Sequence, residues 1–215
     1  MKKSSLIGHA VEVYDLVLRE THPADSLIDT FFRSHKYLGS HDRRFIAETV
    51  YGMLRHKKRV EWLLLSTKEK FARVTPEKKS YHTCLVYLVI IGNEEIGKLI
   101  EEIKVDGEED PDFSSLLYDV VTINAEFQNG PGAILKSAER ISIEYSFPIW
   151  MIEQWLRSYG ADETMKLCES LNQPAPLTLR VNTLKTTVEN CQREWEEENI
   201  QSDRTNLSHV GLNVK

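Results

Sequence analysis

The segment Asn172-Gln173-Pro174-Ala175-Pro176 constrains this chain most, because closely spaced prolines forbid helix and the hydrophobic period changes across them. Before it, apolar residues recur every three or four positions: Leu6, Ala10, Val13 and Val17, then Leu27, Ile28, Phe31 and Phe32 after Pro23. This is the helical period. After it, Leu177, Leu179 and Val181 alternate with Thr178, Arg180 and Asn182, the pattern of a strand with one wet face.

The helical part divides further. Asp42 is a plausible cap for a helix carrying Ile46, Ala47, Val50, Met53 and Leu54, and another helix is expected over residues 59–68. Residues 77–91 follow Pro76 and are apolar on nearly every side, which marks a central buried helix, with a strand as the alternative reading. Helices are expected at 94–104, 113–126 and 133–144, separated by an acidic loop at 106–112 and by Asn129-Gly130-Pro131-Gly132. Pro148 suits the first turn of a helix with Ile152, Trp155, Leu156 and Tyr159 on its apolar stripe, ended by Gly160. A further helix runs from Asp162 to about Leu171. Past the prolines, Thr186-Thr187-Val188-Glu189 fits a capping box, and Val210, Leu212 and Val214 alternate again. The expected fold is thus mainly α: an all-helical bundle over 1–145, a helical linker over 146–176, and a truncated α/β segment, one RRM-like β-α-β unit, over 177–215.

Bulk properties exclude several classes. With 215 residues, 41% hydrophobic and 28% charged, the chain can bury one or two cores. Its longest apolar stretch, Cys84 to Ile91, is far shorter than the ~20 residues of a membrane span. Glu12 and Asp15 interrupt the stretch after the basic start, so no secretory leader is read and a cytoplasmic location is expected. Cys84, Cys168 and Cys191 are isolated, and the seven histidines show no His-x-x-x-His pair, so neither a disulfide framework nor a metal site is indicated. The net charge of -6 means that any contact with nucleic acid must come from a local patch.

Three stretches carry a resemblance. They are Ala24-Asp25 with Asp42-Arg43-Arg44-Phe45-Ile46 and Val50-Tyr51-Gly52-Met53-Leu54-Arg55; Ser146-Phe147-Pro148-Ile149-Trp150 with Trp155 and Tyr159-Gly160; and Leu171-Asn172, Pro174, Pro176-Leu177 and Leu179-Arg180-Val181-Asn182. In this order they resemble the Sun/Fmu (RsmB-like) family of ribosomal RNA cytosine-5 methyltransferases, whose N-terminal helical domain is NusB-like. The resemblance implies an enzyme that uses S-adenosylmethionine and in which a cysteine attacks C6 of cytosine before C5 takes the methyl group. The family's Gly-rich cofactor loop and catalytic cysteine motifs have no counterpart in these residues, so no catalytic residue and no cofactor site are assigned here. The implied partners are ribosomal RNA and a C-terminal methyltransferase domain. The alternative is a free-standing NusB-like antitermination regulator.

The candidate RNA-binding residues are Arg44, Arg55, Lys57, Lys58 and Arg59, a cationic cluster suited to phosphate contact, together with Arg180 and Asn182 on the wet strand face. Asp42, Arg43, Pro148, Trp150 and Trp155 are read as structural. Arg43 falls on the apolar side of its helix and should pair with a carboxylate, while Trp150, Trp155 and Tyr159 should pack, holding the two domains together. Cys84 is read as core, where burial keeps a thiol inert.

Overall fold

A computed structural model describes residues 1–104, 111–130 and 137–215, the side chains of 111 and 112 excepted. The acidic loop, Pro131-Gly132 and the first part of the helix expected at 133–144 lie largely or wholly outside the described residues. The chain forms two compact units, Met1–Glu169 and Ser170–Lys215.

The first unit is helical: α1 (Lys3–Arg19), α2 (Ala24–Ser34), α3 (Ser40–Arg55), α4 (Lys57–Ser66), the short α5 (Glu69–Ala72), α6 (Pro76–Ile90), α7 (Ile96–Ile103), α8 (Pro111–Asn129), α9 (Ala138–Tyr145) and most of α10 (Ile149–Asn172). The residues 77–91 are helix rather than strand, and Cys84, Leu85 and Val86 in succession are fully buried. A helix buried on successive positions must be surrounded, and α6 packs on α1, α3, α4 and α8. Its buried polar groups are satisfied within the helix, His82 Nδ1 lying 2.7 Å from the Lys78 carbonyl and Thr83 Oγ1 donating to that of Lys79 at 2.9 Å. Asp42 proves to be the third residue of α3, its carboxylate reaching back to the Gly39 N–H at 3.2 Å. Tyr51 donates to Asp25, so two segments of the first stretch that carries the resemblance meet in space.

A second core within the same unit gathers Ile141, Ile152 and Cys168, with Tyr145, Phe147, Trp155, Leu156 and Met165 packed around it. The Pro148 carbonyl receives the first N–H groups of α10, from Met151 and Ile152. Gly160 breaks α10 with φ 75°, a left-handed conformation that any Cβ would strain, as its position in the sequence predicts. Trp155 is half-buried, edge-on to Phe147 at 5.3 Å, inside this core. Trp150 lies about 200° around the helix from the buried Ile152 and Tyr159 sits in the last turn before the break; each is 59% exposed.

The second unit corrects the expected single β-α-β. Strand β1 (Leu177–Arg180) is followed by α11 (Val188–Glu197), β2 (Ser202–Arg204) and β3 (Gly211–Val214). The sheet order is β1-β3-β2 with both pairings antiparallel, Leu179 opposite Leu212 and Arg204 opposite Leu212 on the other side. The result is a split β-α-β in which β3 returns between β1 and β2, a ferredoxin-like arrangement. Strand β2 escaped detection because Ser202-Asp203-Arg204 is short, polar and at an edge, where apolar alternation is not required. The cap of α11 is Thr187, one residue later than expected, its hydroxyl accepting from the Asn190 N–H. The core holds Val181, Val188 and Leu212 with Cys191 and Trp195, but the strand face read as apolar and covered is open at Leu177 (59% exposed) and Leu179 (41%). One ten-residue helix is too short to cover the whole face.

The packing of α3 on α6 turns on Gly52, where an added Cβ would stand 1.8 Å from the Tyr87 hydroxyl and 2.3 Å from its ring. Gly52→Ala should therefore destabilise the chain by about 1–3 kcal/mol through overpacking. Gly8→Ala, on α1 with nothing within 4 Å, should instead be neutral or stabilise by roughly 0.5–1 kcal/mol. Thermal melts of the two variants check the contrast.

Candidate nucleic-acid interface

The cationic cluster lies on α3, α4 and the turn between them, and the fold sends its members in different directions. Arg44 points outward on α3, its Nε donating to Glu48 at 2.8 Å one turn on. Arg55 is eleven residues further along, close to the same angular position and about 16 Å along the axis, and is half-buried. Lys57 is partly exposed, with its Nζ 3.8 Å from Glu61.

Lys58 and Arg59 turn inward. Lys58 Nζ donates to Ser142 Oγ and lies 3.5 Å from the Phe147 carbonyl. Arg59 Nη2 donates to Asn124 Oδ1 at 2.9 Å, its Nε is buried without a partner among the described residues, and burial lowers its pKa from the ordinary value. Helix α4 has no capping side chain of its own at His56, and the need is met from a distance: Ser146, in the left-handed region at φ 60°, accepts the Arg59 N–H at 3.0 Å. These two cations therefore clamp α4 onto α8, α9 and the turn at 146–147. Sequence reasoning could not see this, because the partners lie 65 to 89 residues away.

Arg43 is held by the Leu38 carbonyl, 2.9 Å from its Nε, and by the Phe32 ring at 5.7 Å. Its neighbours are thus a carbonyl and an aromatic face where a carboxylate was expected, since the turn before α3 presents its backbone to this side chain. In the second unit Arg180 is exposed at the end of β1. Asn182 lies beyond the strand and its Oδ1 accepts the Leu184 N–H at 3.1 Å, an Asx turn that carries the chain toward α11. The loop from 181 to 187 contains no glycine, so it offers no close-approach cradle for a nucleotide-like cofactor.

The structure adds two features. His56, between α3 and α4, is pushed down to about 4, first by burial and then by Arg55 and Arg59; its Nδ1 is buried without a partner and its ring stacks on Tyr87. A cavity of about 220 Å³ is lined by Lys70, Arg73, Thr75, Lys78, His82 and Phe113 among others. Acids offset it: Lys70 pairs with Asp119 at 2.5 Å, Arg73 with Glu69 at 3.4 Å, and the Glu77 carboxylate at the start of α6 is held low by its own N–H and by Thr75. The outward cations of α3 and α4 are offset in the same way, Arg44 by Glu48 and Lys57 by Glu61.

Comparison with known proteins defines a class first. Residues 147–215 match the family model described as Methyltr_RsmF/B-like, ferredoxin-like domain, in agreement with the topology of the second unit. More particularly, the chain is similar to probable ribosomal RNA small subunit methyltransferase B of Synechocystis sp., 28% identical over 80% of this chain and 40% of that protein. It is likewise similar to the protein of the same name in Bacillus subtilis, 24% identical over 100% of this chain and 48% of that one. The solved structure of PH0851 superposes over 99% of this chain and 48% of its own with a TM-score of 0.52 and 18% identity, which shows a common fold. These matches bear out the resemblance drawn from the sequence. The chain spans less than half the length of the curated relatives it matches.

Charge reversal at Arg44 and Lys57 should weaken RNA binding alike for all sequences and reduce the log-log salt slope by up to ~1 per lost phosphate contact, leaving the melting temperature near that of the unaltered chain. Lys58→Met should do the reverse, lowering stability by about 1–3 kcal/mol by stripping buried acceptors of their donor. Salt titrations and melts of the same variants separate the two groups.

His56 gives a pH signature. It is neutral in the fold with a pKa near 4 against 6.5 when unfolded, so the unfolded chain binds the extra proton between these values. Its contribution to stability is complete above about pH 6.5 and is lost as pH falls toward 4. Stability of His56→Gln measured from pH 7 to 4 should fall less steeply than that of the unaltered chain; identical slopes would contradict the assignment.

Proposed function

We propose that this chain is the RNA-positioning part of an S-adenosylmethionine-dependent ribosomal RNA cytosine-5 methyltransferase, with residues 1–145 as a helical body, 146–176 as a linker and 177–215 as an RNA-contacting module. The observation that carries this reading is the match of residues 147–215 to the ferredoxin-like domain of RsmF/B-like methyltransferases, in a chain whose similarity to the curated small-subunit methyltransferases extends into its helical part. A free-standing antitermination regulator would have no need of that segment.

The reaction itself is assigned to a methyltransferase domain partnering this one. Within this chain the thiols are poor nucleophiles: burial pushes Cys84 up to about 12 and Cys168 up to about 11, and Cys191 packs on the core side of α11. No Gly-rich loop follows a strand among the described residues, which therefore offer no cradle for S-adenosylmethionine. What the chain contributes is a rigid helical body with outward cations at Arg44, Arg55 and Lys57, and a separate small sheet ending at Arg180. Such contacts neutralise phosphates and fix the register of an RNA without reading its bases. No helix among the described residues is long and apolar enough to cross a membrane.

The 215-residue chain, titrated against a fluorescent transcript of small-subunit ribosomal RNA, should show saturable binding that weakens steeply as salt rises, and calorimetry with S-adenosylmethionine should give no binding heat. Absence of RNA binding at low salt would sink the positioning role, and a binding isotherm for the cofactor would place its site in this chain.

A further inference from the structure

Among the described residues one cluster brings together ligand atoms of the kind that hold a transition metal: His9 and Glu12 on α1 and His35 at the end of α2, with one ligand atom of each within 4.8 Å of the others. It owes nothing to the RNA reading. His9 and Glu12 are one turn apart and share a face of α1. His35 arrives from the residue that closes α2, and this is why spacing along the chain gave no hint of it.

The hydrogen bonds around the cluster set the imidazoles as ligands need them. His35 Nδ1 lies 2.8 Å from the Phe31 carbonyl and 3.0 Å from the Ser34 hydroxyl, so a proton on Nδ1 finds acceptors there while Nε2 offers its lone pair to an ion. The His35 ring is fixed further by stacking on Phe31, centroid to centroid 3.9 Å. His9 Nε2 lies 3.0 Å from the Tyr37 hydroxyl, and its Nδ1 faces Glu12 Oε2 at 3.4 Å. A hydroxyl can donate or accept, so an ion bound at His9 Nδ1 in place of its proton would leave the ring N–H on Nε2, facing the Tyr37 oxygen. With an ion bound, each histidine would have one nitrogen toward an oxygen and the other toward the metal, the arrangement found at histidines that ligate zinc.

We infer that His9, Glu12 and His35 form a binding site for a single divalent transition-metal ion of the zinc type, which ties the C-terminal end of α2 to α1. The metal class is set by the donors. Two imidazoles and one carboxylate suit Zn²⁺, whereas Mg²⁺ and Ca²⁺ favour oxygen alone. Bonds of about 2.0–2.1 Å at tetrahedral angles place ligands roughly 3.4 Å apart, so His9 and Glu12 already stand at the required spacing. The other ligand-atom separations are within 4.8 Å, and Glu12, 58% exposed, has room to adjust. With three protein ligands at a surface, the fourth position falls to water.

The test uses the untagged chain, since a polyhistidine tag would itself bind zinc. Isothermal titration with ZnCl₂ should give one ion per chain, and zinc should raise the melting temperature because the folded state alone assembles the site. Glu12→Gln and His35→Gln should each abolish the stoichiometric binding while melting like the unaltered chain without metal. Tyr37→Phe should keep the stoichiometry and weaken affinity about tenfold, as loss of an orienting partner does. His22→Gln and His41→Gln, which remove other accessible donors, should bind as before. The proposal is overturned if the unaltered chain takes up no stoichiometric zinc, or if Glu12→Gln and His35→Gln bind it undiminished. RNA binding is measured separately, so its failure would leave the zinc result standing and the reverse.

Discussion

The helical unit depends on the burial of the middle of α6, from His82 to Val86. Cys84, Leu85 and Val86 occupy three successive angular positions around the helix and none reaches solvent, so neighbours must enclose it. Helices α1, α3, α4 and α8 do so, and each shows the stripe this demands, Ile46, Val50 and Met53 on α3 or Val60, Leu63 and Leu64 on α4. Burying α6 also fixes which faces remain outside. The outer side of α3 and the start of α4 are left to Arg44, Arg55 and Lys57, so the candidate RNA surface is a consequence of how the core is filled.

What the sequence made legible was whatever rests on period. Strong apolar stripes located the helices, the absence of a polar face on residues 77–91 marked the central one, and Pro174 and Pro176 marked the change to strand. Each failure has a physical cause of another kind. Lys58 and Arg59 read as surface charges because a run of cations carries no sign that Ser142, Ser146 and Asn124 wait for them far along the chain. Strand β2 was invisible because an edge strand can be built from polar residues. The cluster at His9, Glu12 and His35 needed the turn after α2 to be known before its third member could be placed.

The inward turn of Lys58 and Arg59 has an energetic logic. A guanidinium or ammonium group taken from water must recover its hydrogen bonds, and a turn containing a left-handed serine supplies oxygens at a helix start that lacks its own cap. One contact thus satisfies two needs, the orphan N–H of α4 and the docking of α9. It also leaves unpaired polarity behind: Arg59 Nε and His56 Nδ1 are buried without partners among the described residues. Placing His56 between Arg55 and Arg59 while burying it excludes the imidazolium form, so the junction of α3 and α4 is stable as a neutral hinge between cations.

Charge then limits what kind of RNA contact this chain can make. With a net charge of -6, the surface as a whole repels a polyanion, and the outward cations stand close to acids, Arg44 to Glu48 and Lys57 to Glu61. Affinity from phosphate neutralisation grows with the number of phosphates engaged, each adding roughly 0.7–0.9 to the salt slope. Two or three contacts give weak, salt-sensitive binding with no base selectivity. Such binding fits the proposed positioning role better than it fits a regulator that must find its RNA alone.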